Sequence, residues 1–61
     1  MKHQTIDWAA LRILTLDDDF EFRGMVSGIL RKLGVASTPI AKIFEEAFWE
    51  IENTRVDVVI V

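Results

Sequence analysis

Leu11 to Leu16 (LRILTL) is a short, mostly apolar run that stops at three consecutive acids, Asp17-Asp18-Asp19. No other feature restricts the fold as much. A run of this length and polarity reads as a buried strand, and the triplet that ends it puts carboxylates at the strand's carboxyl end. Directly after the triplet, Phe22, Met25, Val26, Ile29, Leu30 and Leu33 recur at steps of three and four. That is the spacing of one helical face. Asp19 is placed to cap this helix, Arg31 and Lys32 fall in its last turn where the dipole favours cations, and Gly34 suits the left-handed C-terminal position. Gly24 and Gly28 lie inside it, each costing about 1 kcal/mol relative to Ala. Either a close approach to a neighbouring sheet offsets that cost or the helix tolerates it.

The second half holds one ambiguity, at Val35 to Ala41 (VASTPIA). Thr38 as N-cap with Pro39 at the first helical position is a helix-start signature. Alternatively, Val35 to Ile40 is an edge strand, where Pro is tolerated if its missing N–H faces solvent. Phe44, Ala47, Phe48 and Ile51 mark a second amphipathic helix ending near Asn53-Thr54, and Val56 to Val61 (VDVVIV), β-branched except for Asp57, reads as a strand. The order strand, helix, short strand, helix, strand implies an α/β fold: a partial doubly wound parallel sheet with right-handed crossovers.

At 61 residues the chain is about half a typical domain. It has no cysteine, so disulfide and thiolate-metal scaffolds are excluded, yet 51% of its residues are hydrophobic and 28% charged, the balance of a folded chain. A chain this short buries only about 60% of the surface it exposes when unfolded, and association with another copy is the expected remedy. Ten acidic residues against seven basic ones give a net charge of -3, and no basic run exceeds Arg31-Lys32. That argues against nucleic acid as a partner. No apolar run is longer than the four residues of Val58 to Val61, far too short for a transmembrane span, and the polar start has no signal-peptide core. The expectation is a cytoplasmic protein with no membrane partner.

Chemistry is confined to the acidic triplet. Adjacent Asp17 and Asp18 would project at the carboxyl end of a parallel strand, the edge where open α/β sheets bind ligands. Two hard oxygen ligands there suit Mg²⁺, which takes one or two carboxylates and keeps several waters. The competing reading is a polar loop and helix cap with no ligand. An EF-hand is excluded, because the triplet lacks the alternating ligands and central glycine. His3, the only histidine, lies in the start of the chain and is expected to have no function. Ser27, Ser37 and the threonines have no recognisable base partner, and there is no nucleophile elbow or glycine-rich phosphate loop. Trp8 and Trp49 fall off the main stripes, as core or interface groups.

Together these residues carry a resemblance. Arg12 to Asp19 (RILTLDDD), Arg23 five residues after Asp18, Leu33-Gly34, Ala41, Glu46-Ala47-Phe48 and the closing Arg55 to Val61 (RVDVVIV) resemble the opening of a response-regulator receiver domain of two-component phosphorelay signalling. The likeness covers Leu11 to Val61 essentially without gaps, leaving residues 1–10 as an N-terminal extension and 11–61 as a truncated receiver-like domain. It implies the 2-1-3 half of a flavodoxin-like sheet of order 2-1-3-4-5. Asp17 and Asp18 would correspond to the acidic pair that binds Mg²⁺ directly or through water. The family's phosphoacceptor aspartate would come one residue after Val61, and its switch Ser/Thr and Lys lie further on, so no catalytic residue transfers and the chain is not expected to be an enzyme. Ile43-Phe44, where the family usually has a polar residue and Gly, and Pro39 in strand two depart from the pattern. A sensor histidine kinase is the partner implied for the intact parent. Strand three becomes an edge, so the chain is expected to form a homodimer through Val56, Val58, Val59, Ile60 and Val61, with Trp8 as a further interface residue. The functional expectation is a truncated receiver module acting by protein contact; the alternative is a self-associating structural or interaction module without signalling chemistry.

Overall fold

The computed structural model describes residues 5–61. The expectation for His3, and residues 1–4 of the extension, lie outside them. The described chain contains a 3₁₀ turn at Trp8–Ala10, then β1 (Ile13–Leu16), α1 (Phe20–Leu33), β2 (Ile40–Ala41), α2 (Phe44–Asn53) and β3 (Val58–Ile60). The strands form one parallel sheet of order β2-β1-β3. The α/β class and the parallel three-stranded sheet expected from sequence are therefore present.

Strand β1 is central, and all four of its residues are buried. Its alternating side chains feed two separate cores. Ile13 packs with Val26, Leu30 and Val35 on the α1 side, joined by Trp8, Leu11, Phe22 and Ile60. Leu14 and Leu16 pack with Ala41 and Ala47 on the α2 side, joined by Val56. One helix thus covers each face, which is why the strand reads as continuously apolar and not as alternating. Burying Leu14 alone contributes roughly 1.5–3 kcal/mol.

Helix α1 ends as its sequence dictates. Asp19 Oδ1 accepts from the Glu21 and Phe22 amides at 2.9 and 3.4 Å, and Gly34 takes φ 99°, with its N–H returned to the last turn. The apolar stripe is wider than the face it buries. Val26 and Leu30 are in the core, whereas Met25, Ile29 and Leu33 stay exposed and Arg23 takes a buried position that spacing assigned to no core. A single short sheet has no second layer to cover the rest of the stripe.

The ambiguous segment is no helix. The β1 edge captures its carbonyls: Ile13 N–H donates to Ser37 O (3.1 Å), Thr15 N–H to Pro39 O (3.0 Å) and Asp17 N–H to Ala41 O (3.1 Å). Pro39 supplies an acceptor and needs no donor on this edge, so it fits. The strand is nonetheless Ile40–Ala41 and not Val35 to Ile40, with only a bridge between Arg12 and Ser37 upstream of it. The first and last strands, Ile13–Leu16 and Val58–Ile60, are likewise shorter than Leu11–Leu16 and Val56–Val61. In α2 only Ala47 is buried; Phe44 and Phe48 stack on each other in solvent, their ring centroids 6.4 Å apart. Among the described residues no helix is long and apolar enough to cross a membrane.

Candidate functional site

The chain leaves β1 through α1 to pair β2 on one side, then passes through α2 to pair β3 on the other. The strand order reverses at β1, so the two connections diverge at its carboxyl end and leave a crevice. Asp17 and Asp18 stand there. They border a hollow of about 340 Å³ with Lys42, Ile43, Phe44 and Val61. The two residues that depart from the receiver pattern, Ile43 and Phe44, form an exposed apolar wall of this hollow.

Each member of the triplet has a distinct job. Asp19 is occupied as helix cap. Asp17 is half-buried and held on three sides: its N–H is in the β2 ladder, its Oδ1 accepts from Asp19 N–H at 2.8 Å, and its carbonyl accepts from Arg23 Nη1 at 2.7 Å. Asp18 is exposed. The result is one anchored and one exposed carboxylate, with Lys42 among the residues lining the same hollow. Among the described residues no group of three or more His, Cys, Asp or Glu is arranged to hold a metal ion. A cation here has two carboxylate ligands at most and keeps most of its water.

A larger hollow of about 440 Å³ runs between β2 and α2, lined by Ile40, Ile43, Trp49 and three glutamates. Two of these glutamates already serve the fold: Glu46 Oε1 accepts from Lys42 N–H at 2.7 Å, and Glu50 pairs with Arg12. Trp49 is exposed on its wall, whereas Trp8 is half-buried against the α1-side core. The five β3 interface residues expected from sequence divide similarly. Val58, Val59 and Val61 are exposed, and Ile60 and Val56 are half-buried against the two cores.

Two arginines organise the site beyond what spacing revealed. Arg12, at the opposite end of β1, donates its N–H to Asp57 Oδ2 (2.8 Å), Nη1 to Ser37 Oγ (2.7 Å), Nη2 to Glu50 Oε2 (3.0 Å) and Nε to Thr54 Oγ1 (3.4 Å). It thereby ties β1 to the segments that lead into β2 and β3 and to α2. An arginine opening an apolar run was the only sequence signal for it. Arg23, only 5% exposed, locks the loop that carries the acidic pair.

Comparison with protein-family models, with curated proteins and with solved structures returns no match to this chain.

Proposed function

We propose that residues 11–61 are the opening β-α-β-α-β portion of a response-regulator receiver fold of the flavodoxin-like type, with Asp17 and Asp18 as its weak Mg²⁺ ligands. The observation that carries this reading is the acidic pair at the carboxyl end of the strand where the sheet order reverses. The motif resemblance running from Arg12 through Val61 supports it. Within these residues the pair is all of the family's catalytic set that transfers, so their own contribution is to bind a cation and a protein partner. A sensor histidine kinase is the partner proposed for the intact parent, in the cytoplasm.

Magnesium titration of the 61-residue chain, followed by amide NMR, tests the proposal. The expected result is saturable shifts at Asp17 to Asp19 and at Val61, with a dissociation constant of millimolar or weaker, about -4 kcal/mol. Asp18→Asn should weaken them. Tight binding, or binding indifferent to Asp18→Asn, removes the cation site. Acetyl phosphate with Mg²⁺ should leave no stable adduct on either aspartate, since both act as metal ligands and not as in-line nucleophiles.

A second reading, a self-associating module, is favoured by β3. Its Val58 and Val59 are exposed on opposite faces, and among the described residues only its β1 side is paired. A two-fold axis would pair β3 antiparallel with its own copy in a continuous six-stranded sheet.

A further inference from the structure

Arg23 presents an unsolved charge problem. The residue is only 5% exposed, yet the ion pairs among the described residues, Arg12 with Glu50 and Arg55 with Asp57, leave it without a carboxylate. Among the described residues Nη1 reaches only a neutral carbonyl, that of Asp17, and Nε has no hydrogen-bond partner. The Phe20 ring, with its centroid 5.9 Å from the guanidinium carbon, offsets part of this by its quadrupole but carries no charge. A buried cation in this state is costly unless an anion completes it.

The surroundings contain room for one. Arg23 lines a cavity of about 110 Å³ together with Phe20, Gly24, Ser27 and Ile40. Gly24 contributes no side chain, and a Cβ placed there would meet nothing within 4 Å. Ser27 brings a hydroxyl. Thr15, the register partner of Ile40, is fully buried on the same side of the sheet as α1, and its Oγ1 is the other buried polar side-chain atom without a partner among the described residues. Arg23, with its orphaned guanidinium nitrogen, and Ser27, with its hydroxyl, thus line one small cavity whose exposed flank is Phe20.

We propose that this cavity between α1 and β2 binds a small oxyanion, held by the Arg23 guanidinium and the Ser27 hydroxyl, with Phe20 as the movable cover. A phosphoryl group fits best, because its several oxygens accept from a planar guanidinium and a hydroxyl together. The site is distinct from the Asp17–Asp18 crevice and does not rest on the receiver reading. It gives the two helix glycines different standings: Gly24 keeps the cavity open, and Gly28 plays no part in it.

The test is titration of the 61-residue chain with inorganic phosphate at constant ionic strength, read by the Arg23 side-chain and the Gly24 and Ser27 amide resonances. Saturable shifts confined to these residues are expected, and Ser27→Ala should weaken binding several-fold. Arg23→Gln should weaken it at least tenfold. Because Arg23 also holds Asp17, that variant disturbs the fold as well as the cavity, and Gly24→Leu provides the independent arm. It fills the cavity with a good helix former and should abolish the shifts while the rest of the spectrum stays folded. An acetate titration separates the sources: a stronger response to phosphate assigns a phosphoryl ligand, and a stronger response to acetate assigns a carboxylate. Shifts that do not saturate, that spread over the surface, or that survive Gly24→Leu overturn the proposal.

Discussion

Replacing Arg12 with Met keeps the apolar stem and deletes the charged fork, so it isolates what that fork does. The structure sets the magnitude. The Nη2 to Glu50 pair, at 3.0 Å with side chains 28% and 22% exposed, is partly screened. Its contribution is at the upper end of a surface pair, about 1 kcal/mol. The Nη1 bond to Ser37 Oγ adds about 1 kcal/mol, and the long Nε contact to Thr54 adds little. The Glu50 side chain, 22% exposed, keeps water as a donor, so it is not stranded. The expected loss is therefore about 2 kcal/mol, on the order of 8–16 °C in melting temperature for a chain of this size. A core this small rarely supplies more than about 3–5 kcal/mol in total, so the variant should sit close to unfolding at 25 °C. Urea denaturation followed by circular dichroism measures it. A double-mutant cycle with Glu50→Gln should return about 0.5–1 kcal/mol of coupling. A loss below about 0.5 kcal/mol, or no coupling, would refute the claim that Arg12 fastens three elements together.

Gly34→Ala should cost about 1 kcal/mol from the left-handed φ alone, because the new Cβ would meet Trp8 Cβ at an ordinary 3.7 Å; a neutral substitution in thermal melts contradicts this. Leu14→Ala removes a fully buried side chain and should cost about 2–5 kcal/mol, enough to unfold most molecules. A variant that retains the wild-type dichroism spectrum and melting temperature would show that the α2-side core is not what holds the sheet. Val59→Lys places a charge on the exposed side of β3 and should shift a homodimer to monomer in analytical ultracentrifugation. A wild type that is a folded monomer at micromolar concentration, or a dimer indifferent to the substitution, removes β3 as the association surface.

Most of the architecture was legible because its signals are local. The LRILTL run, the Asp19 cap, the three-and-four spacing of α1 and the Gly34 terminus are each decided by neighbours within a few residues, and the structure keeps them all. Position along the chain also placed Asp17 and Asp18 at a strand end, since a strand bounded by a helix cap leaves them nowhere else. What sequence left open was settled by pairing. Thr38-Pro39 is a good local helix start, yet the three amide donors along β1 need acceptors, and residues 37–41 supply them.

The same division holds at the site. Sequence by itself determined which residues are acidic, that they follow a strand, and that a helix begins at once behind them. Only the tertiary structure decided that Asp17 is pinned by Arg23 and that Lys42 shares the hollow. Arg12 and Arg23 were legible as charges but not as an amino-edge clasp and a buried guanidinium, because long-range partners such as Ser37, Glu50 and Asp57 carry no periodicity. Hydrophobic spacing reports which side of a helix is apolar. How much of that side is covered depends on how many layers the rest of the chain brings to it, and here a three-stranded sheet covers Val26 and Leu30 but leaves Met25, Ile29 and Leu33 in water.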